Sequence, residues 1–311
     1  MEKKRLLVVG QINIDTLIFD GNKTKITPGG AGTYVAMSAS TYEDIETDLL
    51  ATICSDMPDS FLQDMRRNNI NTENILPLLG HQRRSRLEYS TEFLRNNTGM
   101  LTDQWKFLTA EQTPRHYPLR NVRYDALHLP PQPSFNQRLY AQWGCESNML
   151  VSLDTCERYA QSNAAELLET LPYVNVFMPS EIELYSMFPT CNADLDLIAQ
   201  NVRRLGVKLL VVKRAENGSQ IYDFECGKVY ELGIRRVDAL DATGAGDSYN
   251  GGFLACYLAT GDVELSAKYG ACAASICIGE LGYQALCKKT KRDILPLLAQ
   301  VPCRVSDYRT I

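Results

Sequence analysis

The stretch from Val237 to Phe253 constrains this chain more than any other. A short apolar strand end runs into the glycine-rich turn Thr243-Gly244-Ala245-Gly246-Asp247. An apolar helix of small residues follows, from about Asp247 to Ala259, and Thr260-Gly261 reads as its stop. Gly244 and Gly246 let the backbone turn tightly with its N–H groups pointing one way. A helix N-terminus there adds a dipole that favours negative charge, so the turn is an anion cradle. Asp247 is the odd residue, because a carboxylate repels an anion. Beside such a cradle it can instead accept the proton of a hydroxyl that attacks a phosphoryl group. The dinucleotide fingerprint would need a third glycine where Tyr249 stands, and no Gly-Lys-Ser/Thr triplet of a P-loop occurs. The plain alternative is an ordinary strand–turn–helix with an acidic first turn.

Two stretches near the start point the same way. Leu6 to Val9 reads as a buried strand, and Asn13 and Asp15 follow it on one side of the chain. They fall at the C-terminal edge of a strand, where open α/β sheets bind ligands. A carboxylate there can accept hydrogen bonds from two neighbouring hydroxyls, which suits a polyol. Next, Gly29-Gly30 opens a helix of small residues, again where backbone approaches something closely.

Asp241-Ala242-Thr243-Gly244-Ala245-Gly246-Asp247, followed by Asn250-Gly251-Gly252-Phe253, resembles the C-terminal signature of the ribokinase-like (PfkB-type) carbohydrate kinases. The Gly29-Gly30 pair resembles that family's N-terminal signature. The resemblance implies a catalytic base at Asp247 and an anion hole at Gly244, Ala245 and Gly246. It implies substrate contacts from Asn13, Asp15, Gly29 and Gly30. Tyr34 stands where most sugar kinases of the family carry a substrate-touching Asn. It implies nucleotide contacts from Ser180, Lys213, Gly218 and Thr243, with Ala215 replacing a common glycine. Ser180 and Glu183 occupy the family's Asn-x-x-Glu, which is tied to Mg²⁺ through water. Ser180 with Glu183 three residues on is also a helix capping box, which explains both without a metal. Gly218 also reads as a hairpin glycine. ATP and Mg²⁺ are the implied cofactors, and K⁺ is left open.

The rest of the chain alternates strands and helices. Strands are expected at Leu49–Cys54, Ile75–Leu79, Leu127–Leu129, Met149–Leu153, Val174–Met178 and Leu209–Val212. Helices are expected at Ser60–Asn68, Gln132–Trp143, Ala164–Leu171 and Glu264–Ile278. This rhythm predicts one α/β domain over residues 1–311 with a mainly parallel, doubly wound sheet. Residues 85–93 instead alternate polar and apolar, as a half-exposed antiparallel strand does. Leu87, Tyr89 and Phe93 would form an apolar strip on it. The family resemblance implies a small β-sheet lid here, drawn from about 16–27 and 82–108, and a homodimer through that sheet would cover the strip. The basic run Gln82 to Arg86 is either a solvated edge or a clamp for a substrate phosphate.

A net charge of −5 with no basic stripe argues against nucleic acid as a partner. No apolar run reaches transmembrane length, and nothing at the start reads as a signal peptide, so a cytoplasmic location is expected. The ten cysteines include no Cys-x-x-Cys pair and read as reduced core residues. His81, His116 and His128 lie too far apart for a metal site and read as structural. The expected activity is ATP-dependent phosphorylation of a sugar or related polyol. A nucleoside kinase and a non-catalytic sensor are the rival readings.

Overall fold

The computed structural model describes residues 3–19, 23–89, 95–100 and 114–308. In chain order its strands are β1 (Lys4–Val9), β2 (Asn13–Phe19), β3 (Lys23–Gly29), β4 (Ile45–Ile53), β5 (Ile70–Asn71), β6 (Ile75–Pro77), β7 (Arg84–Tyr89) and β8 (Arg95–Met100). They continue as β9 (Ala126–Leu129), β10 (Leu150–Leu153), β11 (Val176–Phe177), β12 (Leu209–Lys213), β13 (Ser219–Asp223), β14 (Lys228–Leu232) and β15 (Cys303–Asp307). The helices are α1 (Ala31–Ala39), α2 (Ser60–Arg67), α3 (Ser134–Glu146), α4 (Glu157–Ser162) and α5 (Ala164–Thr170). After them come α6 (Glu181–Met187), α7 (Leu195–Arg204), α8 (Ala245–Thr260), α9 (Val263–Cys277) and α10 (Lys291–Ile294).

Strand β1 shows why the sheet is covered on both faces. Leu6 and Val8 point into one core, with side chains from α1, α2, α8 and α9. Leu7 and Val9 point into the other, with side chains from α3 to α7. A strand apolar on both sides requires that arrangement. The sheet order is β15-β14-β13-β12-β11-β10-β9-β1-β4-β5, with β6 also paired to β4. Neighbours from β12 to β5 run parallel. The antiparallel extension β13-β14-β15 was not foreseen beyond a hairpin after Gly218. Helices α4 and α7 were not foreseen either.

A second sheet stands apart, in the order β3-β2-β7-β8. Strand β7 is antiparallel to β8, as expected, but parallel to β2. Its Leu87 is 4% exposed and packs with Leu17 and Leu281. That corrects the expected bare strip at this residue: the turn carrying Leu281 covers it. Phe93 and the Tyr89 side chain lie outside what is described. So do residues 101–108 of the expected lid.

Helices α1 and α8 set the site. A Cβ on Gly251 would collide with the Val35 carbonyl oxygen, so the two backbones touch. Ser38 Oγ donates to the Ser248 carbonyl at 2.5 Å. This contact brings the two glycine turns, more than two hundred residues apart in sequence, to the same sheet edge.

Candidate active site

The cradle is built as the residues demand. Gly244 caps α8 in the left-handed region at φ 74°, and Asp247 lies in the helix's first turn. Upstream, Asp241 is 1% exposed and ties the turn down. One of its oxygens accepts from Thr243 N at 2.9 Å and the other from Gly282 N at 3.1 Å. Donors of the first helical turn therefore face out of a fixed loop. Gly261 ends the helix at φ 71°, where a stop was read.

Asp15 lies on β2 with 3% exposure, hydrogen-bonded to Ser85 and the Gly30 backbone. Burial, with the Asp241 charge adding a little, raises its pKa to about 6; the hydrogen bonds and the Arg83 charge oppose this. A Cβ on Gly29 would collide with its carboxylate, so the glycine pair is set by Asp15 itself. Asn13 Nδ2 approaches Ser85 Oγ at 3.4 Å, while its buried Oδ1 has no hydrogen-bond partner in the structure. That acceptor suits a hydroxyl. The basic run divides. Arg84 pairs with Asp56 at 2.7 Å and Arg86 is exposed, but Arg83 turns inward to bond Gln11 Oε1 beside Asp15.

Tyr34 joins the halves. Its ring lies 3.5 Å from the Cβ position of Gly29, and a Cβ on Gly244 would collide with the same ring. With 1% exposure it offers no face for a base or sugar to stack on. It acts as a spacer between the turn beside Asp15 and the cradle.

The far end of the cradle is polar. Ser180 and Glu183 form both bonds of a capping box at the start of α6. Glu183 is pushed up to about 7, by burial and then by the charge of Asp154. Lys213, last in β12, donates to Asp154 Oδ2 at 2.6 Å. Its Nζ is 3.5 Å from the Cβ position of Gly246. His128, fully buried beneath, is held at about 3 by burial and by Lys213, and its Nδ1 meets Ser152 Oγ at 2.5 Å. Gly218 sits at φ 82° where a Cβ would collide with the Leu232 carbonyl, so the β12–β13 connection alone demands glycine. Sequence reading gave no individual role to Asp154, or to Asp241 and Asn250 within the signature, and took Arg83 and Ser85 only as part of the basic run. Asp154 carried a signal, an acid directly after an apolar strand at the ligand edge. No group of three His, Cys, Asp or Glu able to hold a metal occurs among the described residues. All ten cysteines are free; Cys145 and Cys226 are exposed, so not all are core residues.

A buried carboxylate on β2 and a second carboxylate in the first turn of a glycine-opened helix are the residue types that phosphoryl transfer to a hydroxyl calls for. The pfkB family carbohydrate kinase model matches residues 3–291, and the chain belongs to that family. It is 27% identical to the cytidine kinase of Thermococcus kodakarensis over 255 residues, 81% of this chain and 88% of that one. It is 28% identical to the nucleoside kinase of Methanocaldococcus jannaschii over 165 residues, 53% of this chain and 52% of that one. The crystal structure of the Methanocaldococcus jannaschii nucleoside kinase superposes with TM-score 0.74 at 20% identity, covering 96% of this chain and 99% of that one. Arabidopsis thaliana ribokinase, complexed with ribose and ATP, gives 0.75 at 17%, with the same coverage. The fold is ribokinase-like. No helix among the described residues is long and apolar enough to cross a membrane.

Proposed function

We propose that this chain transfers the γ-phosphoryl group of ATP to a hydroxyl of a sugar or related polyol. The observation that carries this is that the Gly29 turn beside Asp15 and the Gly244 turn that leads to Asp247 both lie against the Tyr34 ring. Asp15, Asn13 and the Gly29-Gly30 turn hold the acceptor's hydroxyls. Asp247 takes the proton from one of them. That oxygen attacks the γ-phosphorus in line, and the bond to the bridging oxygen of ADP breaks. The N–H groups of residues 244–247 stabilise the charge that develops. Ser180, Lys213, Gly218 and Thr243 are proposed to line the nucleotide. Mg²⁺, bound with ATP, supplies neutralisation of phosphate charge. Glu183, partly buried at the start of α6 beside Asp154 and Lys213, would reach that ion through a water. Comparing KCl with NaCl decides whether K⁺ assists. The reading places the protein in the cytoplasm.

A nucleoside is the second reading, favoured by the cytidine kinase relative, which this chain matches over most of both lengths. A non-catalytic sensor has no use for Asp247. ADP production measured against a panel of sugars, polyols and nucleosides separates the three: a sensor yields none with any acceptor.

Asp15→Ala is expected to weaken acceptor binding more than turnover at saturation, because its bonds to bystander hydroxyls exist in ground and transition states alike. Unchanged acceptor affinity by calorimetry on the folded variant would remove Asp15 from the pocket. The pH dependence has a definite sign. Only the carboxylate accepts both hydroxyl bonds, so with a pKa of about 6 the acceptor kcat/KM should fall roughly tenfold from pH 7.5 to pH 5. Asp15→Asn should lack that limb.

A homodimer through the small sheet completes the proposal. Strand β3 is its edge, with Ile26 66% exposed. Sedimentation at micromolar concentration should give about twice 34.9 kDa; a clean monomer ends this part of the reading.

A further inference from the structure

We propose that Asp154 and Asn250 are positioning residues that hold the Lys213 ammonium over the Gly246 end of the cradle, where it meets the phosphoryl group in transfer. This rests on the kinase reading above.

The three residues come from separate elements. Asp154 follows β10, Lys213 ends β12, and Asn250 lies on α8. Lys213 Nζ and Asn250 Nδ2 both donate to Asp154 Oδ2, each at 2.6 Å. Asp154 Oδ1 accepts from Thr155 N at 2.8 Å, and Gln137 Nε2 donates to the Asp154 carbonyl at 2.7 Å. The carboxylate is thus held on every side and cannot swing away. A lysine side chain is long and loses rotamer freedom when fixed. Here it is fixed before any ligand arrives, which is what makes a fixed charge effective toward a transition state.

The placement points at the reaction. Nζ stands 3.5 Å from the Cβ position of Gly246, so a phosphoryl oxygen held by the cradle lies within its reach. Asn250 is three residues after Asp247 and shares its face of α8. The network therefore ties the helix that carries the base to the cation on the sheet. The Lys213 side chain keeps 15% exposure while Asp154 keeps 3%, so the lysine is the member of the pair still open to a ligand. Asn250 is fully buried, and its Oδ1 has no hydrogen-bond partner in the structure. An apolar residue would avoid that orphan, so the side chain is explained by the donor it gives Asp154. Glu183 faces the pair from α6, and His128 beneath stays neutral.

The test combines kinetics with direct nucleotide binding. Lys213→Met should lower kcat about a hundredfold. It should also weaken the Mg²⁺ complex of a non-hydrolysable ATP analogue about tenfold, with ADP affinity within twofold. Asp154→Asn should lower kcat more than tenfold without weakening the analogue, because a negative charge has been removed. In the Lys213→Met background, Asp154→Asn should cost nothing further. Should Asp154→Asn not fold, Asn250→Ser takes its place in the same cycle, with a smaller loss. Additive losses, or Asp154 and Asn250 variants that change only the melting temperature, overturn the inference while the kinase reading stands. Wild-type protein that binds neither nucleotide overturns both.

Discussion

Asp247→Asn is expected to lower turnover at least about a hundredfold, the low end of what general-base catalysis contributes, and to leave ATP affinity nearly unchanged. The reasoning is local. Asn matches Asp in shape, and position 247 is half-buried in the first turn of α8, so the fold loses little. Losing a favourable charge at a helix start costs about 0.3–1 kcal/mol. What Asn cannot do is take a proton from the attacking hydroxyl. In the proposed site the nucleotide is held by backbone N–H groups, which the substitution leaves in place. Removing a negative charge beside phosphates should tighten ATP slightly if it acts at all. Steady-state kinetics on an accepted substrate, with calorimetry for ATP, checks both halves. Turnover near wild type would leave Asp247 as an ordinary acidic residue at a helix start.

The proposal for Asp247 could be made from sequence because the residues behind it are contiguous. Residues 241–247 place turn, donors and carboxylate within seven positions, although Gly282 N also ties Asp241 from outside the segment. The strands buried on both faces were legible for a similar reason: runs such as Leu6–Val9 and Leu209–Val212 declare themselves without a partner. Short elements were harder. Strand β15, Cys303–Asp307, is mostly exposed and exists because β14 pairs with it, a contact no local pattern announces. Helix α7 is different, because its signals were present. Asp194 caps it by accepting from Asp196 N and Leu197 N, and Ile198 and Val202 repeat at helical spacing toward the core.

The site divides along the same line. Asp15 and Gly29 could be read singly, but their reason for being adjacent is steric and three-dimensional: the glycine has no Cβ because a carboxylate occupies the space. Tyr34 shows the limit most clearly. From sequence it was an aromatic residue at a substrate position, with a ring free to stack. In the fold that ring is 1% exposed and packed against Gly29 and Gly244, more than two hundred residues apart in the chain. Only packing reveals that. Lys213, Asp154 and Asn250 lie 59 and 96 residues from one another along the chain, on separate elements, and sequence spacing carries no trace of their meeting.

Gly244→Ala should therefore damage the enzyme in a way that a second substitution partly repairs. Two costs meet at this position. The backbone is at φ 74°, which an L-residue occupies at a cost of roughly 1–2 kcal/mol. The new methyl group would also strike the Tyr34 ring, which at 1% exposure has nowhere to move. The turn should yield, since α1 is pinned to α8 through Gly251 and Ser38. A displacement of about 1 Å in the cradle is enough to lower turnover roughly a hundredfold. Tyr34→Ser alone leaves a cavity and should cost several kcal/mol of stability, by analogy with buried aromatic truncations at about 3–5 kcal/mol. Combined with Gly244→Ala it removes the obstacle, so turnover in the folded double variant should exceed that of Gly244→Ala alone by about tenfold. Each variant is assayed below its own melting temperature, and the coupling is read from the four kcat values. A double variant no more active than Gly244→Ala would show that the left-handed backbone, not the tyrosine, is what forbids a side chain here.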